Sequence, residues 1–462
     1  MSVKKGQLIE VAITGMAFGG KGLAKIDGFT VFVDQAVAGD VVVARIIKKK
    51  KNYAEAKVDQ LITPSPQRIK AKCCYSGFCG GCKWQFLDYR QQIRYKRQHV
   101  QESLEHIGLI KDVEIHATIP SNKIFEYRNK MEFSCSDRRW LLPDEMDQVH
   151  LDRTFALGLH VPGTFYKVID TTACLLQPDL GNHILDDVRQ YIKCSDAPVY
   201  GLRSHVGFWR FVMLRHSANY DQWMINIITS AEDHSQVMPL ARRLMQKYPE
   251  IISVVNNVTS RKASIAMGEF EVNLAGEDHL KDTIDSYAFM ISANSFFQTN
   301  TDGARVLYRQ TKKYADLQGG ETVLDLYSGT GSIAIYLSDS AKRVIGIEQV
   351  ESAVRDAGRN CQINGISNCQ FVQGDIGKCL PQINEKPEVM IIDPPRVGMH
   401  KDVVKQVLEM APARIVYVSC NPASLARDVG MMKEKYRLLA VQPVDMFPHT
   451  YHIESVAKLE KI

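Results

Sequence analysis

Between residues 321 and 393 the chain alternates short aliphatic runs with amphipathic ones, and this alternation narrows the possible folds more than any other feature. Residues 321–327 read as a strand, Ser328-Gly329-Thr330-Gly331 as a loop, and Ser332 opens a helix. Residues 343–348 form the next strand, followed by a helix through Asn364. Residues 370–374 then lead to Asp375, and residues 389–393 to a double proline. Strand–helix–strand order of this kind predicts an α/β domain built on a doubly wound parallel sheet. Glycines after the first strand let a ligand approach the backbone closely. Glu348, about 20 residues further on, is placed to grip ribose hydroxyls as acids do in dinucleotide folds.

The same sheet predicts where chemistry lies. Residues 415–418, Ile-Val-Tyr-Val, read as a buried strand that runs out at Ser419, and Cys420 follows where the chain turns into Asn421-Pro422. Open α/β sheets bind ligands at the carboxyl ends of their strands. A cysteine is ordinarily a small core hydrophobe, but this one has reactive company. The preceding strand ends in Asp393-Pro394-Pro395-Arg396, and His452-Ile453-Glu454-Ser455-Val456 sets a carboxylate in a strand-like run. A thiol, a strand-end aspartate and a late glutamate point to covalent catalysis.

The N-terminal portion has a different pattern. Short strands are predicted at 8–13, 23–26, 29–33, 40–47 and 53–60, separated by glycine turns, which make a small OB-type barrel. Residues 1–100 hold 18 Lys+Arg against 7 Asp+Glu, a balance of +11 in a chain whose total is +5. The four lysines at 48–51 concentrate that charge, and a basic portion on an acidic body suits a polyanion such as RNA. The barrel resembles a TRAM domain, including Gly19-Gly20-Lys21-Gly22-Leu23-Ala24. Residues 63–67, with two prolines, read as a linker.

Beyond it stands Cys73-x5-Cys79-x2-Cys82 in a glycine-rich loop. Thiolates at this spacing can converge on one soft centre, an iron–sulfur cluster or a zinc ion. Cys174, in a turn after a strand-like run, is the best distant candidate for a fourth ligand, and Cys74 reads as structural. The 11 cysteines are clustered and odd in number, which disfavours a disulfide framework. A helix is predicted over 88–107, strands over 128–136, 155–160, 208–216, 223–229 and 253–258, and a helix over 239–248, an antiparallel α+β module. No run approaches the roughly 20 apolar residues of a membrane span, so a cytoplasmic protein without membrane contact is expected. The domains are drawn at 1–62 (barrel), 63–290 (central α+β domain with the cysteine loop) and 291–462 (the Rossmann-like sheet).

Asp-Leu-Tyr-Ser-Gly-Thr-Gly with an acid at the next strand end resembles the S-adenosylmethionine (SAM) site of class I methyltransferases. Together with Ser295-Phe296-Phe297-Gln298-Thr299-Asn300, Asp393-Pro394-Pro395-Arg396, Ser419-Cys420-Asn421-Pro422 and His452-Ile453-Glu454-Ser455-Val456, it makes the chain similar to the RNA uracil-5-methyltransferase family. With the TRAM-like barrel and the cysteine loop, the resemblance covers nearly the whole chain. Within that family it is most similar to the 23S rRNA enzymes of the RlmD type, which carry both the barrel and a 4Fe–4S cluster. The resemblance implies Cys420 as nucleophile, Glu454 as general base, and Gln298, Tyr327, Ser332, Glu348, Asp375 and Asp393 as cofactor contacts. Cys73, Cys79, Cys82 and Cys174 would hold the cluster, and the enzyme would act as a monomer on 23S rRNA. Ser328 stands where many members have cysteine. A radical methylthiotransferase is disfavoured by the x5 spacing, and a non-catalytic RNA-binding factor by the presence of both thiol and glutamate.

Overall fold

The computed structural model describes residues 3–262 and 265–462. Its first sheet has six strands, in the order Leu8–Ala12, Val41–Lys49, Tyr53–Thr63, Phe29–Asp34, Gly22–Ile26 and Gly15–Met16. The two edge strands are successive pieces of one run, since Leu8–Ala12 pairs with Val41–Lys49 and Gly15–Met16 with Gly22–Ile26. One bent stretch thus serves both edges of the sheet. Alternation puts Val31, Val33, Val42, Ala44, Ile46, Ala54 and Ala56 into a common core. The strand at Gly15–Met16 escapes sequence reading because two residues carry no period.

The proline-containing run at 63–67 is pinned. Asp40 is wholly buried and accepts hydrogen bonds from Val37 N (2.7 Å), Ser65 N (2.8 Å) and the Arg68 guanidinium (2.6 Å). A carboxylate 25 residues upstream holds this run, and composition alone cannot show that.

The second sheet has seven strands, in the order Val168–Asp170, Ala156–His160, Lys130–Ser136, Trp209–Ser217, Gln222–Thr229, Ile251–Val258 and Phe270–Gly276. Gln222–Thr229 and Ile251–Val258 are parallel, joined by helix His234–Lys247, and the other pairs are antiparallel. Residues of that helix and of Asp179–Lys193 share one core with the sheet.

The third sheet has eight strands, in the order Cys369–Gln373, Arg343–Glu348, Thr322–Leu326, Val389–Ile392, Arg414–Ser419, Glu454–Lys461, Tyr436–Val444 and Glu114–Ile115. The first five are parallel, and Glu454–Lys461 runs antiparallel between its neighbours. Every residue of Val389–Ile392 is buried, as expected of a strand covered on both faces.

Two elements cross the boundary drawn at 290. Helix Tyr89–Ser103 and strand Glu114–Ile115 belong in sequence to the central portion, yet Val100, Leu104 and Ile115 share a core with Leu425, Val429 and Val441. Lys96 of that helix is fully buried with Nζ 2.5 Å from Asp445. Removing one partner of such a pair strands a charge, at about 3–5 kcal/mol. The N-terminal half is thereby keyed into the C-terminal sheet. Among the described residues no helix is long and apolar enough to cross a membrane.

Candidate active site

Strand Thr322–Leu326 runs into Tyr327, whose φ of 66° lies in the left-handed region that aromatic residues rarely adopt. Gly329 and Gly331 follow with φ of 53° and 75°. A Cβ on Gly331 would come within 2.7 Å of the Phe371 ring, so only glycine fits there. Glu348 ends the neighbouring strand and accepts hydrogen bonds from Gly329 N (3.0 Å) and Val350 N (2.8 Å), which fixes the loop. Tyr327, Glu348 and Asp375 line one cavity of about 690 Å³, together with Val350, Ile376 and Pro395. Asp375 caps the short helix Ile376–Cys379 by accepting from Lys378 N.

Gln298, Ser332 and Asp393 lie outside that cavity. Ser332 Oγ sits 2.7 Å from the Tyr308 hydroxyl, and the Gln298 carbonyl accepts from Asn129 Nδ2 at 2.9 Å. Asp393 ends the next strand, toward Cys420, and burial pushes its carboxyl up to about 7. Sequence reasoning missed Asp325, although it opens the Asp-Leu-Tyr-Ser-Gly-Thr-Gly motif. It is 1% exposed, and the Ala334 backbone N–H stands against its carboxyl. Burial pushes its carboxyl well above the usual range, and Asp393 and Glu348 add to the effect. Keeping so deeply buried a carboxyl ionised is costly, which is why its proton is held. Glu348 and Asp375, at the neighbouring strand ends, place acidic side chains on this edge of the sheet, which suits a cationic ligand.

The thiol and the glutamate are neighbours because their strands pair. Arg414–Ser419 runs antiparallel to Glu454–Lys461 with Ser419 opposite Ser455, so Cys420 and Glu454 sit side by side at one end of the ladder. Cys420 is half-buried, and burial, then Glu454 and Asp393, push its thiol up to about 11. Arg396 pulls in the opposite direction. Glu454 is 6% exposed, and burial with the nearby Asp393 pushes its carboxyl well above the usual range, against Arg396 and Lys96. Burial holds His449 and His452 down at about 4, so both are neutral at physiological pH.

Asn421-Pro422 has a local explanation. Asn421 caps helix Pro422–Met432 by accepting from Ala423 N at 3.1 Å, with proline at the first helical position. Its Nδ2 donates to the Arg396 carbonyl at 3.0 Å, and Ser424 Oγ donates to the same oxygen at 3.2 Å. The cap that ends the cysteine turn therefore also places the arginine. Together these groups offer a nucleophile, a proton acceptor and a fixed cation.

Cys73, Cys79, Cys82 and Cys174 all line a second cavity of about 320 Å³, which also reaches Arg128 and Thr299. Burial, with repulsion from Cys174, pushes the thiols up, Cys79 to about 11 and Cys82 to about 12. Cys74 is exposed and outside the cavity. Among the described residues no group of three or more His, Cys, Asp or Glu side chains stands close enough to hold a metal ion. At the hairpin tip, Lys48 pairs with Glu55 at 3.4 Å, while Lys50 and Lys51 are exposed.

A parallel sheet with a glycine loop and acids at neighbouring strand ends has the layout of a SAM-dependent methyltransferase. Residues 323–412 match the Methyltransferase domain family, residues 382–462 the tRNA (Uracil-5-)-methyltransferase family, and residues 2–58 the TRAM domain. An uncharacterized RNA methyltransferase of Chlorobaculum tepidum is 42% identical, over 99% of this chain and 97% of its own length. Another, from Bacteroides thetaiotaomicron, is 43% identical over 96% and 100%. The Pyrococcus abyssi tRNA (uracil-54, C5)-methyltransferase, solved with S-adenosyl-L-homocysteine, superposes with a TM-score of 0.77 at 28% identity, over 97% of this chain and 99% of that one. The chain belongs to the RNA uracil-5-methyltransferase family, and it is a SAM-dependent enzyme acting on RNA.

Proposed function

We propose that the enzyme methylates C5 of one uridine in 23S rRNA, as a monomer, through a covalent adduct between Cys420 Sγ and C6. The side-by-side placement of Cys420 and Glu454 on paired strand ends supports this reading. C5 of uracil is a weak nucleophile. Addition of the Cys420 thiolate to C6 breaks the C5=C6 π bond and leaves an enolate, whose C5 then attacks the methyl carbon of SAM and releases S-adenosylhomocysteine. Glu454 takes the C5 proton, the double bond re-forms, and the thiolate leaves. Gln298, Tyr327, Ser332, Glu348, Asp375 and Asp393 contact the cofactor or the uracil edge, and the acids among them favour SAM's positive charge. A stacked uridine cannot reach Cys420, so the target base is flipped out.

The similarity to a tRNA enzyme makes tRNA the rival substrate. Deleting the gene and mapping 5-methyluridine should erase one 23S rRNA site and leave tRNA unchanged. Loss of the mark from tRNA alone would reassign the substrate.

The same reading gives Cys73, Cys79, Cys82 and Cys174 a 4Fe–4S cluster. All four thiols line one cavity, and four cysteines are the usual ligand set of such a cluster. No step of methyl transfer passes through the cluster. Anaerobically purified protein should be brown, with iron and sulfide near about four each per chain. Serine at any of the four should bleach it, and serine at Cys74 should not. Colourless protein with stoichiometric zinc would reject the cluster.

A further inference from the structure

We propose that the two cysteine-bearing loops position the active site, each clasped to one catalytic segment by a buried amide side chain: Gln92 on the side of Glu454, and Asn129 on the side of Gln298. The inference rests on the roles given above to Glu454 and Gln298.

On the first side, Cys82 is followed directly by Lys83 and Trp84, whose backbone N–H groups both donate to the His449 carbonyl at 2.9 Å. Gln92 is wholly buried and closes this contact. Its Nε2 donates to Trp84 O (3.0 Å) and Leu87 O (2.8 Å), and its Oε1 accepts from His449 N (2.8 Å). Tyr127 donates to Pro448 O at 3.1 Å and Lys96 to Phe447 O at 3.0 Å. Residues 445–453, which lead into Glu454, are therefore held largely by the N-terminal half of the chain. His449 has a φ of 65°, a strained conformation that persists only where its surroundings impose it.

On the second side, Cys174 is followed by Leu175 and Leu176, whose carbonyls accept from Glu126 N (2.9 Å) and Arg128 N (2.8 Å). The next residue, Asn129, donates from its backbone to Thr299 O (2.9 Å) and from Nδ2 to Gln298 O (2.9 Å) and Thr301 Oγ1 (2.8 Å). Thr299 itself lines the cysteine cavity. Only a few residues of hydrogen-bonded backbone separate the thiols from either catalytic segment. A shift in thiol spacing passes to both, and a misplacement of about 1 Å can cost on the order of 100-fold in rate.

The test compares full-length metal-loaded protein with Gln92→Ala and Asn129→Ala by hydrogen exchange, SAM titration and adduct lifetime. Gln92→Ala should retain its metal and SAM affinity, expose amides of 447–453, and slow adduct resolution about 10- to 100-fold with little effect on adduct formation. Asn129→Ala should expose 297–301 instead and raise KM for SAM. Stripping the metal should loosen both segments at once. A merely structural role would slow formation and resolution alike, and that result overturns the proposal. So does unchanged protection of both segments after metal removal. Should Gln92→Ala fail to fold, Tyr127→Phe interrogates the same loop with little change of volume. Hydrogen exchange reads the clasps independently of chemistry, so a wrong role for Glu454 would show in its own variant.

Discussion

Replacing Cys420 with alanine is expected to lower methylation by roughly four orders of magnitude or more while SAM binds as before, as losses of a nucleophile in other enzymes indicate. The side chain lies at the end of Arg414–Ser419, outside the cavity lined by Tyr327, Glu348 and Asp375 that we propose for the cofactor, so its loss leaves that cavity intact. Turnover by single-turnover methyl transfer and SAM affinity by titration separate the two effects. Substantial activity in the alanine variant would end the covalent mechanism. The electrostatics add a pH signature. The thiol is pushed up to about 11 by burial and by Glu454 and Asp393, so the thiolate fraction, and with it adduct formation, should rise with pH through the neutral range. Arg396 is the cation that pulls the thiol down, so Arg396→Met should move that rise to still higher pH. If SAM binds beside Asp393, as proposed, its positive charge offsets the carboxylates that oppose ionisation. Adduct formation should therefore require SAM more strongly than adduct geometry alone implies.

What the sequence disclosed and what it hid follow from the range over which each feature acts. The strand–helix alternation, the glycine loop with Glu348, and the Cys420 and Glu454 strand ends are local patterns, and the structure sets the glycine-loop acid and the thiol–glutamate pair on one sheet edge. Four cysteines scattered over a hundred residues also line one cavity. The features that hold the site in shape have no local pattern. Lys96 and Asp445 meet across 349 positions, and Gln92 and His449 across 357. A buried glutamine on a helix reads as surface until its partners are known. Glu114–Ile115 is too short to show a period, yet it ends the catalytic sheet. Asp325 was hidden differently. It sits within a recognised motif, but only its burial, and the raised carboxyl that follows from it, mark it as unusual.

Glu454→Gln is expected to stall the reaction after methyl transfer rather than before it. Glutamine keeps the shape and the hydrogen-bonding capacity of the side chain but cannot take a proton, so Cys420 still adds to C6 and C5 still accepts the methyl group. The methylated adduct then cannot lose its C5 proton, and the thiolate cannot leave. Turnover should fall roughly 10²- to 10⁴-fold, the usual contribution of a positioned general base. A protein–RNA species that survives denaturing electrophoresis should accumulate, and with labelled SAM it should carry the methyl group. In the ligand-free protein burial and Asp393 push the Glu454 carboxyl well above its ordinary range, so it is a stronger base than a solvated glutamate. The wild-type resolution step should accordingly require a higher pH than an ordinary carboxylate would, its rate rising as the group loses its proton. Lys96 and Arg396 oppose the shift, and removing either charge should move that rise upward. An inactive Glu454→Gln that never forms adduct would place the glutamate before methyl transfer. An adduct lacking the methyl group would assign it to cofactor or base alignment instead.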